Sequence, residues 1–202
     1  LWEANATKLL SVLTQETDML VCAEDLGAVP PCVPTVLRNL NILSLRIERW
    51  ARNWNVQYSP YYDMEEYPRL SVCTTSCHDT STLRGLWKEA DFDKNFYWAH
   101  AHQMGSAPEE LTPSVARNVL AHVFSANSLF CILPIQDYFA LSSTLSAGKP
   151  EDERVNIPGT VGGNNWTYQL PCLVDELMNI TTLSSEVRKL VDERKRRPMW
   201  KI

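Results

Sequence analysis

Long apolar runs are missing from this chain. No stretch approaches the ~20 consecutive apolar residues of a membrane-spanning helix, and Leu1-Trp2-Glu3-Ala4-Asn5 is not a secretory leader. A protein that is not membrane-bound, located in the cytoplasm, is the expectation. Glycine is sparse, 7 of 202 residues, and none of it builds the Gly-rich turn that cradles phosphate between a strand and a helix. That argues against a nucleotide-binding doubly wound sheet. Positive charge is short as well: 19 Lys+Arg face 24 Asp+Glu, a net charge of −5. This is too little basic surface to displace counterions from nucleic acid, and the densest basic run, residues 189–197, alternates with acids and reads as a solvated helix end.

Metal-ligand spacings are also absent. Cys73-x3-Cys77-His78 has the residue types of a zinc site, but no second Cys/His pair completes four ligands. Neither a metal nor an organic cofactor is expected. The six cysteines (Cys22, Cys32, Cys73, Cys77, Cys131, Cys172) lie mostly in apolar runs of a chain large enough to need no crosslinks, which reads as reduced, buried thiols. Asn5-Ala6-Thr7, Asn165-Trp166-Thr167 and Asn179-Ile180-Thr181 match the glycosylation pattern by chance in a chain without an export signal.

A globular core is present: 45% hydrophobic and 21% charged residues are ordinary for a folded domain of this length. Residues 3–18 place Ala4, Leu9, Leu10, Val12 and Leu13 at helical spacing, and residues 19–23 are an apolar run of strand length. Pro30, Pro31 and Pro34 mark a loop into a helix over about residues 35–40. Leu43, Leu45 and Ile47 then alternate with Ser44, Arg46 and Glu48, a strand period. A second strand is expected over residues 70–75, followed by N-caps at Thr80-Ser81-Thr82 for a helix through Leu83, Leu86 and Trp87. Residues 94–126 read as helix in at least two pieces, with Thr112-Pro113 as a start signal; residues 129–133 read as strand, 148–171 as a long loop and 182–196 as a charged helix.

Strand, polar cluster, helix is the recurring unit, so the fold class is α/β with a parallel sheet. Glu24-Asp25, His78-Asp79 and Gln136-Asp137 each follow a strand, at the edge that carries the active site in (β/α)8 barrels. Carboxylates there, with His, Trp and Tyr nearby, suit carbohydrate chemistry: sugars offer hydroxyls to charged groups and C–H faces to aromatic rings. Taken alone, Glu24-Asp25 is better read as a loop or helix N-terminal carboxylate. Trp87, Tyr97 and Trp98 fall on helical stretches and are assigned to the core. Trp50, Trp54, Tyr58, Tyr61 and Tyr62 crowd a loop, where stacking on sugar competes with packing. His100 and His102 are two apart on a helix, share no face, and are not read as ligands.

Four blocks go further: Ala23-Glu24-Asp25-Leu26-Gly27 with Val29 and two prolines; Ser76-Cys77-His78-Asp79-Thr80-Ser81-Thr82-Leu83-Arg84; Pro134-Ile135-Gln136-Asp137; and Arg154-Val155-Asn156-Ile157-Pro158-Gly159-Thr160 with Asn165-Trp166. In this order they resemble the 4-α-glucanotransferases of glycoside hydrolase family 77, also called amylomaltases or disproportionating enzymes. The Ser-Cys-His-Asp spelling and the run Leu45-Arg46-Ile47-Glu48-Arg49 resemble the plant cytosolic branch rather than bacterial amylomaltases with Gly-Thr-His-Asp.

The resemblance implies that residues 1–202 are a C-terminal portion of the catalytic domain, about strands five to eight of a (β/α)8 barrel, with extra helices inserted between strands seven and eight. It implies an enzyme that moves an α-1,4-glucan segment from a donor to an acceptor glucan or glucose, its partners being maltooligosaccharides, starch or glycogen. Glu24 is then the general acid/base, protonating the departing oxygen and later taking the acceptor's proton. Asp79 holds the 2- and 3-hydroxyls of the sugar, His78 donates to the transition state, and Gln136, Asp137, Asn156 and Trp166 contact the glucan. If the apolar residues of the run at 43–48 face helices, Arg46 and Glu48 point into the barrel, as site lining or as an ion pair.

The family's nucleophile, an Asp in an Arg-x-Asp-His-type block, has no counterpart in residues 1–23. Together with an opening residue other than Met and a length below the ~250 residues of a whole barrel, this leads to the expectation of a fragment that is inactive alone and self-associates through its open barrel edges. The rival readings are a non-catalytic α-glucan-binding domain and an α-glucan hydrolase of the amylase clan.

Overall fold

β1 (Ser44–Ile47), β2 (Ser71–Thr74) and β3 (Phe130–Cys131) form one parallel sheet in the order β1-β2-β3, with Leu45 beside Val72 and Cys73 beside Cys131. The computed structural model describes residues 1–102 and 105–194, the side chains of Ala101 and His102 excepted. A parallel bridge from Cys22 to Leu43 adds a fourth segment on the far side of β1. It is held by Ala23 N donating to Leu43 O at 2.7 Å and Leu43 N donating to Val21 O at 2.9 Å.

The strand expected over residues 19–23 is thus only a bridge, with Met19 and Leu20 exposed. The one expected over 129–133 contracts to Phe130–Cys131, although Ile132 N still donates to Cys73 O at 3.0 Å. Both are the outer segments of the sheet. A neighbour on one side alone supplies half the ladder bonds that keep a strand regular.

Register separates the two faces of the sheet. The thiols of Cys73 and Cys131 both lie against Val123 O, at 3.8 and 3.9 Å, so their face is covered by helix. On the opposite face Leu45, Val72, Thr74 and Ile132 line an open hollow of about 340 Å³, and Phe130 and Ile132 are 40% and 61% exposed. This is the wall that a closed barrel turns inward. Arg46 shares its side with Cys73. Arg46 and, two residues on, Glu48 therefore stand on the helix side and not inside the barrel, because Leu45 is the residue given to the inner wall.

α1 (Trp2–Gln15) and α2 (Val33–Asn39) precede the sheet. The second begins earlier than expected because Pro34 fits its first turn, where no amide partner is needed. Between β2 and β3 run α3 (Leu83–Leu86), α4 (Lys94–His102) and α5 (Pro113–Phe124), the inserted helices that the sequence predicts at this crossover. Thr112 caps α5 by accepting from Val115 N at 3.4 Å, with Pro113 in the first turn. Ala116, Val119, Leu120 and Val123 then bury one face of it completely, each larger side chain contributing about 1.5–3 kcal/mol. Trp87, Tyr97 and Trp98 join this core as expected.

After β3 come α6 (Ile135–Phe139), α7 (Val174–Met178) and α8 (Thr181–Glu193). α8 buries Leu183 and Leu190 and is tied to α5 by Arg117, whose guanidinium meets Glu186 at 3.3 Å and Glu193 at 2.6 Å. Residues 195 and 196 of the expected helix lie outside the described residues. Of the six cysteines Cys73 alone is buried; Cys22 is exposed and the other four are partly so. The expectation of buried thiols fails at these positions because they sit at sheet edges and in loops. No described helix is long and apolar enough to cross a membrane.

Candidate active site at the carboxyl ends of the strands

Parallel pairing sends the chain out of the 21–23 segment, β1, β2 and β3 at one edge of the sheet, so Glu24, His78-Asp79 and Gln136-Asp137 all leave from the same rim. Around Asp79 four of the expected site residues meet. Asn156 Nδ2 donates to Asp79 Oδ1 at 2.6 Å, and His78 Nε2 lies 3.5 Å from the same oxygen. Asn156 N donates to His78 O at 3.0 Å. The indole of Trp166 lies over the His78 ring with 5.3 Å between centroids and a tilt of 38°. Asp79 and His78 remain open to solvent, their side chains 38% and 51% exposed, and Trp166 offers an uncovered aromatic face beside them.

This cluster is built from two distant pieces of chain. Arg154 joins them: its Nη2 donates to Asp79 O at 3.1 Å and its Nε to Asn156 O at 2.9 Å. Downstream, Asn165 accepts from Ile157 N at 3.0 Å and donates to Thr160 Oγ1 at 2.9 Å, which closes residues 157–165 on themselves. Gly159, Gly162 and Gly163 supply the positive φ that this closure needs, and Trp166 adopts φ +63° despite its side chain, an uncommon backbone for a bulky residue. Its amide donates to Val155 O at 2.7 Å, fixing the ring over His78.

The remaining candidates divide. Glu24 is exposed at the rim. Its neighbour Asp25 turns inward, accepting from Leu45 N at 2.7 Å and pairing with Arg46 at 3.1 Å. Arg46 is therefore an ion-pair residue on the helix side. Asp137 is wholly buried: Oδ1 accepts from Leu83 N at 2.7 Å, and Oδ2 accepts from Ser76 Oγ at 2.8 Å and from the Thr75 hydroxyl. Burial pushes its pKa up, opposed by these donors. A direct glucan contact for Asp137 is not what the structure provides, since both oxygens are occupied below the surface. Gln136 is also buried, its Nε2 at 3.3 Å from Glu153 O, and it lines a cavity of about 200 Å³ behind His78.

Beside Glu24 lies a larger cleft of about 1010 Å³ that begins at Asp25, Leu26 and Gly27 and is walled by Trp50, Trp54 and Tyr62. It does not reach Asp79. The guanidinium of Arg52 organises its aromatic wall, lying 4.9 Å from the Trp54 ring centre and 5.3 Å from that of Tyr61. Of the crowded aromatics, Trp50, Trp54 and Tyr58 are exposed, whereas Tyr61 packs against the core and stacks on His100. The side chain of His102 lies outside the described residues. Below the rim, Glu48 is buried and its pKa is pushed up to about 8, chiefly by loss of solvent, with Tyr97 and Arg49 acting to lower it. Neither Glu48 Oε1 nor the Tyr97 hydroxyl makes a hydrogen bond of full geometry.

Residues 1–175 match the family model described as 4-alpha-glucanotransferase, glycoside hydrolase family 77. The chain belongs to this family. A 4-alpha-glucanotransferase of Oryza sativa subsp. japonica is 34% identical over 192 residues, covering 95% of this chain and 20% of the rice protein. The 4-alpha-glucanotransferase of Chlamydia trachomatis is 34% identical over 191 residues, covering 93% of this chain and 35% of the relative. Among solved structures, the amylomaltase from Streptococcus agalactiae in complex with acarbose superimposes with a TM-score of 0.68 at 18% identity, covering 93% of this chain and 34% of that one. The fold is thus the (β/α)8-type architecture of amylomaltases, and this chain spans between a fifth and about a third of the length of these relatives.

Sequence reasoning singled out Glu24, His78, Asp79, Asn156 and Trp166, of which the structure brings the last four together, but passed over the contacts of Arg154 with Asp79 and Asn156 and of Glu153 with Thr82 and Arg84. Arg154 stands inside a block that carries the resemblance, and its position two residues before Asn156 was the available signal. Nothing local marks Glu153.

Proposed function

We propose that this chain is the C-terminal portion of a cytoplasmic 4-α-glucanotransferase catalytic domain that acts on α-1,4-glucans, with glucose or another glucan as acceptor. The observation that carries this reading is the convergence of His78, Asp79, Asn156 and Trp166 at the rim from which Glu24 also emerges. A carboxylate and an imidazole able to bind adjacent hydroxyls, beside an uncovered indole, form a sugar subsite. Glu24, free at the same edge, has the access a proton-transfer group needs.

In a retaining double displacement, a nucleophilic carboxylate bonds to the anomeric carbon while Glu24 protonates the departing glycosidic oxygen. Glu24, now ionised, takes the proton of the acceptor hydroxyl as that oxygen displaces the enzyme carboxylate. Asp79 and His78 grip the sugar being transferred. No Arg-x-Asp-His-type block occurs in the 202 residues, so the covalent step belongs to residues outside this stretch, and the stretch alone transfers no glucan. With Phe130 and Ile132 uncovered on the inner wall, it self-associates when isolated. The Ser76-Cys77-His78-Asp79 spelling favours the plant cytosolic branch.

The test is disproportionation of maltotriose by the complete enzyme. Longer and shorter oligosaccharides are expected, with Glu24→Gln abolishing them while glucan binding remains. Release of glucose with a matching rise in reducing ends would mark a hydrolase, and binding without turnover a glucan-binding domain.

A further inference from the structure

We propose that Asp137 is the positioning residue of the loop that presents His78 and Asp79. The glucan-transfer reading enters only through what Asp79 does. The Asp137 carboxylate closes the loop at both ends: Oδ2 accepts from Thr75 and Ser76, where the chain leaves β2, and Oδ1 accepts from Leu83 N, where α3 begins. Residues 77–82 arch between these anchors, with Thr80 N donating to Cys77 O at 3.1 Å within the arch.

A second ring of bonds ties the arch down. Arg49 donates to Ser81 Oγ and to Ser81 O, both at 2.7 Å. Glu153 accepts from Thr82 Oγ1 at 2.8 Å and pairs with Arg84; the next residue, Arg154, holds Asp79 O. The helix lies flush against the arch, since a Cβ on Gly85 would sit 2.8 Å from Ser81 Cβ. Asp137 is fully buried at the centre of these contacts and cannot touch a sugar. Its influence on chemistry runs through where it places Asp79.

Asp137→Asn keeps the shape but turns an amide toward two hydroxyls that now donate, and removes the negative charge facing buried Arg49. In the complete enzyme, hydrogen exchange of peptides spanning 75–83 is expected to speed up by about 10-fold or more in Asp137→Asn while peptides from 113–124 stay unchanged. Acarbose titrated by calorimetry should bind about 10-fold more weakly at unchanged stoichiometry. A purely structural defect lowers the stoichiometry and leaves the affinity of the folded fraction intact.

If Asp137→Asn does not fold, Ser76→Ala, which removes one of the three anchors, carries the same two readouts with a smaller expected change. Wild-type exchange over 75–83, or acarbose loss confined to stoichiometry, overturns the assignment. Asp79→Asn separates the two readings: unchanged acarbose affinity there sinks the glucan site, while the exchange experiment still decides whether Asp137 closes the loop.

Discussion

After the 21–23 segment, Glu24 is exposed while Asp25 is fixed by Leu45 N and Arg46. After β2, Asp79 stands out from an arch whose two ends are bonded to buried Asp137. Each strand end thus combines an accessible carboxylate with one that accepts from a backbone amide, but the first tether is the chain neighbour and the second comes from 58 residues further on, residue 137 against 79. The first end is a local device and the second a long-range one. Side chains of the same chemistry divide into groups that meet solvent and groups that shape the backbone, according to which unpaired amide lies within reach.

Removing the exposed member is expected to have the largest effect. Glu24→Gln in the complete enzyme should lower maltotriose transfer by about 10²–10⁴-fold with an unchanged melting temperature. A wild-type rate would move the acid/base role elsewhere.

Next in size is the pH response of the buried acid beneath the second strand end. Glu48 has its pKa raised to about 8 by burial, so between its ordinary value and 8 the folded chain retains a proton that the unfolded chain releases. Its contribution to stability is complete in acid and is lost as pH rises through 8, by up to ~1.4 kcal/mol per pH unit. Urea midpoints should fall from pH 5 to 8, and Glu48→Gln should flatten the slope. Asp137, shifted upward for the same reason, acts in the same direction.

A smaller effect tests the first tether. Asp25→Ala leaves Leu45 N without its acceptor and should cost about 1–3 kcal/mol in denaturant unfolding, because Asp25 is 5% exposed in its side chain. Smallest is Thr82→Ala, which removes the cap accepting from Gly85 N at 3.2 Å and the bond to Glu153. About 1–2 kcal/mol is expected, and faster exchange over 75–83 would tie the cap to the arch.

Much of the frame was readable from local pattern. The alternation at 43–47 and the apolar runs near 72 and 131 announced a parallel sheet, and Thr112-Pro113 announced α5. The rim followed from that topology. Local pattern misjudged the outer segments, where 19–23 and 129–133 lose regular pairing for want of a second neighbour, and it did not decide the facing of Arg46. Gln136-Asp137 looks like His78-Asp79 in spelling, yet one pair is buried and the other open. No neighbouring residue reports that difference, since it depends on Thr75, Ser76 and Leu83 arriving beside position 137.

The amino-acid order alone determined the family, the βα repeat and the identity of Glu24, His78, Asp79, Asn156 and Trp166 as the residues to inspect, because periodicity and short motifs are properties of adjacent positions. Which carboxylates meet solvent and which hold the backbone was decided only by tertiary packing. A carboxylate's part depends on the donors that distant segments bring within about 3 Å of it, and those donors are assembled only when the sheet and its inserted helices close around them.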